Sequence, residues 1–167
     1  YNEIEQNFTF VSQRVEDNKI LKSLEKFEHV KVAEIAHSRE EYFKLVCQFI
    51  KQHKGVFVTI DYGYKNPPNY LSLQTIYHHK KTHLFENIGN QDITAHVNFD
   101  ELIFIANEYN LKIDTFSTQK DFLISCGIRE RMKNLQKNKS EETIRDLNSA
   151  YYRLVNKSQM GEMFKVL

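Results

Sequence analysis

Glycine is scarce here, with only five in 167 residues, so each marks a backbone demand rather than filler. None belongs to a phosphate-cradling loop, because neither GxGxxG nor GxxxxGK[ST] occurs. A nucleophile elbow of the GxSxG kind is missing too, so no Ser-His-Asp arrangement can be argued. The only cysteines, Cys47 and Cys126, stand far apart. That usage fits buried thiols in a reducing compartment better than a disulfide framework. No charge of one sign dominates: the net charge is +1, which gives no field for nucleic acid or an anionic membrane. No apolar run approaches the roughly 20 residues that span a bilayer. Tyr1 to Asn7 carries two glutamates and no basic residue, unlike a signal or transit peptide. The missing initial methionine raises the expectation of a fragment or a processed product.

What is present reads as α/β. FTFVSQRV is rich in β-formers, so residues 1–37 are expected to be a β-rich opening segment. Ser38-Arg39-Glu40-Glu41 is a capping box, followed by Tyr42, Phe43, Val46, Cys47 and Ile50 at helical spacing, with Gly55 as the stop. Val56 to Ile60 is an unbroken apolar and β-branched run, the signature of a strand buried on both faces. Extended stretches are expected at 71–77 and 91–97. Asn98 caps a helix carrying Phe99, Leu102, Ile103 and Ala106. LKIDTFST reads as a strand, Gln119–Cys126 and Ile128–Asn138 as short helices, and Ser140 as the start of a longer one. The chain closes on an FKVL strand after Gly161.

Four clusters could carry chemistry. Asp61-Tyr62-Gly63 follows the apolar strand, where open α/β sheets place their ligand crevice; an Asx-type turn explains the same residues. HHKKTH (78–83) invites a metal, but no cysteine or carboxylate stands at ligand spacing, so no metal is expected. A surface cluster with one functional histidine fits better, because imidazole moves protons near neutral pH. Asp92, Thr94, His96 and Asn98 fall on one face of an extended segment. They are either a polar site, or a helix cap with satisfied core polars. Arg129 to Lys139 holds five basic residues against Glu130, a solvated helix face or a docking surface.

Together these stretches resemble the MidA-type class I methyltransferases, a family that includes a mitochondrial complex I assembly factor methylating a protein arginine. The resemblance rests on Gly55 to Gly63, Leu73-Gln74 through His79, and Gly89 with Asp92 to Phe99. It continues through Thr118-Gln119, Phe122-Leu123 and Gly127-Ile128 to Met160–Leu167. All five glycines fall on these motifs. Leu71, Ile88 and Asn98 depart from the usual glycine, proline and aspartate.

The resemblance implies a strand order of 3-2-1-4-5-7-6, with 56–60 as strand five, 112–118 as strand six and 163–167 as strand seven. It implies S-adenosylmethionine as cofactor. The family's glycine-rich turn, the acidic residue after its second strand and its acidic loop after the fourth do not occur here. Residues 1–167 would thus be a single, incomplete domain, the C-terminal half of the fold from residue 38, with its cofactor site mostly elsewhere. On this expectation strand five has an open edge and the isolated chain is inactive. Asp61, His79 and His96 are the candidate catalytic residues; Tyr62, Gly63, Asp92 and Thr94 line the substrate crevice. The expected partners are a protein substrate such as a complex I subunit and the missing N-terminal half, with no nucleic acid and no membrane insertion. The expected compartment is the cytoplasm in a bacterium and the mitochondrial matrix in a eukaryote. The alternative is a non-catalytic split or degenerate remnant that binds a protein.

Overall fold

The computed structural model describes residues 8–27 and 29–167, which divide into two units. The Asp17 carboxylate accepts the Lys19 and Ile20 N–H groups and so starts α1 (Asn18–Leu24), continued by a 3-10 turn, Glu25–Phe27. The expected β-rich opening is therefore corrected. Residues 8–17 carry no regular structure, and residues 1–7 lie outside the described residues. β-formers need cross-strand neighbours to make a strand, and no described segment pairs with FTFVSQRV. α2 (His37–His53) buries Phe43 and Cys47 and ends where Lys54 and Gly55 take positive φ. β1 (Ile60–Tyr64) follows.

β2 (Gln74–Tyr77) and β3 (Lys80–Thr82) form a hairpin whose two loop residues, His78 and His79, have φ 46° and 62°. Positive φ at both positions is the type I′ geometry that matches strand twist. β4 (Asp92–Thr94) pairs the other edge of β2, giving the antiparallel order β3-β2-β4. This sheet belongs to the unit formed by the stretches up to His37 and Pro67–His96.

Ser38–Asn66 and Val97–Leu167 make the second unit. β5 (Val97–Asn98) runs into α3 (Phe99–Glu108), capped as expected when Asn98 Oδ1 accepts the Glu101 N–H. β6 (Ser117–Thr118) leads into α4 (Gln119–Ser125), capped by Thr118. Gly127, left-handed at φ 82°, turns the chain into α5 (Ile128–Gln136), on which Arg129, Arg131 and Lys133 are exposed. Ser140 caps α6 (Glu141–Val155); α7 (Met160–Met163) and β7 (Phe164–Val166) finish the chain. The core is Phe43 and Cys47 of α2 against Phe99, Leu102, Ile105 and Ala106 of α3.

The sheet order is β5-β1-β7-β6. Its β1-β7-β6 part reproduces the five-seven-six order, with β7 antiparallel to both neighbours. Two strand expectations are corrected. Strand five occupies 60–64 rather than 56–60, and strand six shortens to 117–118. Val56 and Val58 are 83% and 53% exposed, not buried on both faces. The apolar run has the right composition, but a strand exists only where a neighbour completes its ladder.

Candidate active site

β1 is an inner strand, flanked by β5 and β7. It carries Asp61, Tyr62 and Gly63 in sequence, all half-buried. Asp61 Oδ1 accepts the Tyr62 N–H at 2.8 Å, so one carboxylate oxygen is spent locally. The Tyr62 ring meets Phe164, its partner on β7, edge-on at 5.4 Å. Gly63 has a packing reason. A Cβ there would overlap the Val97 carbonyl oxygen and stand 2.8 Å from the Phe99 ring. Only glycine lets β5 approach β1 this closely.

Lys165 faces Asp61 across the β1–β7 ladder. Burial pushes its ammonium pKa down, partly countered by the nearby Glu162 carboxylate. Lys165 Nζ donates to the Glu162 backbone carbonyl. The sequence reading does not select Lys165; the available signal was a lone charge inside FKVL. Asp61 and Lys165 together set a carboxylate and an ammonium in register at the middle of a sheet. Such a pair can orient a polar or cationic group by hydrogen bonding and charge.

His79, Asp92, Thr94 and His96 belong to the other unit, whereas Asn98 lies in the second. His79 occupies the exposed hairpin tip, where the turn accounts for its backbone. Asp92 is exposed opposite Ile76. Thr94 lies opposite Gln74, and its hydroxyl oxygen is buried without a hydrogen-bond partner among the described residues. An unpaired buried hydroxyl is uncommon and costs stability. His96 is anchored by its backbone N–H, which donates to Ser72 Oγ at 2.8 Å. Ser72 and Leu73 in turn donate to the Glu34 carboxylate, a clamp that the sequence reading does not identify. Asn98 is 5% exposed and spends its side chain on the α3 cap. The structure thus brings Asp61, Tyr62 and Gly63 together on one strand. His79, Asp92, Thr94 and His96 group separately.

Among the described residues, no cluster of three or more His, Cys, Asp or Glu is arranged to hold a metal. Nor do the glycines among them form a closed cradle for S-adenosylmethionine. Gly63 and Gly161 are closed in by the protein's own backbone, while Gly55 and Gly89 face open space.

A family model described as "Putative S-adenosyl-L-methionine-dependent methyltransferase" matches residues 2–117. The chain is 30% identical over 112 residues to the mitochondrial protein arginine methyltransferase NDUFAF7 homolog of Caenorhabditis elegans. That match covers 66% of this chain and 26% of the relative. Two crystal structures of Burkholderia thailandensis proteins share the fold at 21% identity. One, bound to S-adenosyl-homocysteine, superposes with a TM-score of 0.82 over 97% of this chain and 43% of that one. The other, a native structure, gives 0.76 over 87% and 41%. The chain therefore spans about a quarter of the curated relative's length and some two-fifths of each solved structure.

Proposed function

Because the chain belongs to the S-adenosyl-L-methionine-dependent methyltransferase family, we propose that it is the substrate-side portion of a protein arginine methyltransferase. In this reading it works with a further part of the domain that binds the cofactor. The carrying observation is Asp61, half-buried on an inner strand with Lys165 in register. A guanidinium needs an acceptor that fixes its nitrogen and offsets developing positive charge. Asp61 supplies that acceptor, since its second oxygen is not used by the Tyr62 N–H. Tyr62 and Gly63 form the wall beside it. His79, His96, Asp92 and Thr94, which lie in the other unit, are a separate, second group of candidates. S-adenosylmethionine supplies the methyl group and is held chiefly by residues outside this chain.

The nematode relative's name, a mitochondrial protein arginine methyltransferase, supports arginine as the target and a mitochondrial compartment in a eukaryote; the proposed compartments are the matrix there and the cytoplasm in a bacterium. A respiratory complex I subunit is the proposed substrate. No described helix is long and apolar enough to cross a membrane. A second reading, a non-catalytic protein-binding module, draws on Tyr42, Leu45 and Phe49, exposed apolar residues of α2.

Isothermal titration with S-adenosylmethionine separates the two readings, using the 167-residue chain alone and then with a family N-terminal half added. Binding only with the added half, followed by methylation of an arginine peptide, is the expected result. No binding in either case favours the module. Binding by the chain alone refutes the placement of the cofactor site.

A further inference from the structure

His78 and His79 form the tip of the β2–β3 hairpin, and both hold left-handed backbone, at φ 46° and 62°. Asn-Gly holds such a turn at less cost. Two histidines there are a choice that the turn itself does not explain. The stem below is firmly built. Thr75 Oγ1 donates to the Thr82 carbonyl at 2.7 Å, and Thr82 Oγ1 to Gln91 Oε1 at 2.7 Å. Gln91 Nε2 donates in turn to the Leu84 carbonyl at 2.6 Å. The His78 ring stands edge-on to Tyr77, with centroids 4.1 Å apart. A fixed stem under a strained tip is the arrangement of a preorganised contact, not of a loose loop.

The tip is also cationic. Lys80 and Lys81 follow the histidines directly, and all four residues are exposed. Among the described residues neither lysine pairs with a carboxylate. Tyr77 is opposite Lys80 and Ile76 opposite Lys81, so the two ammonium groups leave on opposite faces. Each neutral imidazole adds a ring N–H donor. The nearby carboxylates lie off the tip: Glu86 accepts the His83 N–H at 3.2 Å, and Asp92 stands across β2 from Lys81, beyond Ile76. His83 is occupied too, because its Nδ1 accepts the Phe85 N–H.

The surroundings select the kind of anion. The unit that carries the tip holds seven Lys or Arg residues against nine Asp or Glu. A nucleic acid or an anionic bilayer would meet that negative excess around the tip. A short acidic peptide is small enough to meet the tip alone, and an extended chain can reach both of its faces. We propose that the 78–81 tip docks an acidic segment of a partner protein. Lys80 and Lys81 pair its carboxylates, and the two imidazoles hydrogen-bond them. The inference does not depend on the enzymatic reading, since such a segment is held whether or not the partner is methylated.

The test titrates the 167-residue chain with a fluorescent octapeptide of alternating Asp and Glu, beside an Asn/Gln control. The acidic peptide should bind and the control should not, with amide shifts in the NMR spectrum centred on residues 77–82. Lys80→Gln with Lys81→Gln should weaken binding about fivefold or more without moving the melting temperature, the scale of two exposed ion pairs. His78→Asn with His79→Gly should raise the melting temperature by about 2 °C or more, because the turn is relieved. The same pair should weaken peptide binding about threefold or more, a loss that a merely structural role for the histidines would not produce. Unchanged binding in either double variant would overturn the proposal. So would peptide shifts confined to the basic residues 129–139, or tighter binding of oligothymidylate or phosphatidylserine vesicles than of the peptide.

Discussion

Asp61 and Lys165 are direct cross-strand partners, one on β1 and the other on β7. Their side chains share a face, because residues opposite each other in a ladder point the same way. They set a carboxylate and a partly buried ammonium in register on the two inner strands of the sheet.

Asp61→Asn is expected to lower methylation of an arginine peptide by about 100-fold or more in the reconstituted enzyme, the usual scale for a positioned acid–base group. The fold should be kept, because an Asn oxygen still accepts the Tyr62 N–H. Steady-state kinetics beside a thermal melt check both halves. Unchanged kcat/KM would remove Asp61 from the reaction.

Lys165 predicts a dependence of stability on alkaline pH. Its folded-state pKa is depressed by burial, so the folded chain releases this proton before the unfolded chain does. Stability then rises with pH from the depressed folded value up to the ordinary lysine value of about 10.4, and the penalty returns as pH falls. Lys165→Met should flatten that part of the profile. Urea midpoints for both proteins across pH 8 to 10.5 make the comparison, with tyrosine ionisation common to both.

Gly63→Ala should destabilise the second unit by roughly 1–3 kcal/mol, the range for forced overpacking, because the new methyl meets the Val97 carbonyl and the Phe99 ring. Denaturant unfolding reads the loss directly. A wild-type midpoint would show that β5 can move away at little cost.

The two thiols should react very differently. Cys47 is fully buried and its pKa is raised by desolvation, whereas Cys126 is exposed. The thiolate is the reactive species, so maleimide at neutral pH should label Cys126 promptly and Cys47 only in denaturant. Mass spectrometry of the peptides distinguishes the sites; prompt double labelling would contradict the buried α2–α3 core.

Helices were the most legible part of the sequence. Asn98, Ser140 and the apolar spacing of α2 each act within a few residues of chain, so local pattern suffices. Strands were less so. Val56–Val58 and residues 112–116 have strand composition, yet pairing there depends on a partner outside their own stretch. The histidine turn escaped for another reason: His78 and His79 hold a conformation usually taken by Asn-Gly, so no turn residue announces it. Asp61 reads in the sequence as a polar stop after an apolar run, but it is the second residue of β1, which continues to Tyr64. Lys165 was not legible, because its significance comes only from the register that sets it against Asp61.

Tyr64 ends β1 beside Asn98 of β5, its parallel neighbour. All of 65–96, including the whole β3-β2-β4 sheet, thus leaves and rejoins the second unit at adjacent points. Within the sheet β5-β1-β7-β6, that whole excursion is accommodated at one pair of neighbouring strand ends. Its length and surface can be redrawn, or exchanged between related proteins, while the strands bearing Asp61 and Lys165 keep their alignment. Evolution could retarget the molecule there without rebuilding its centre.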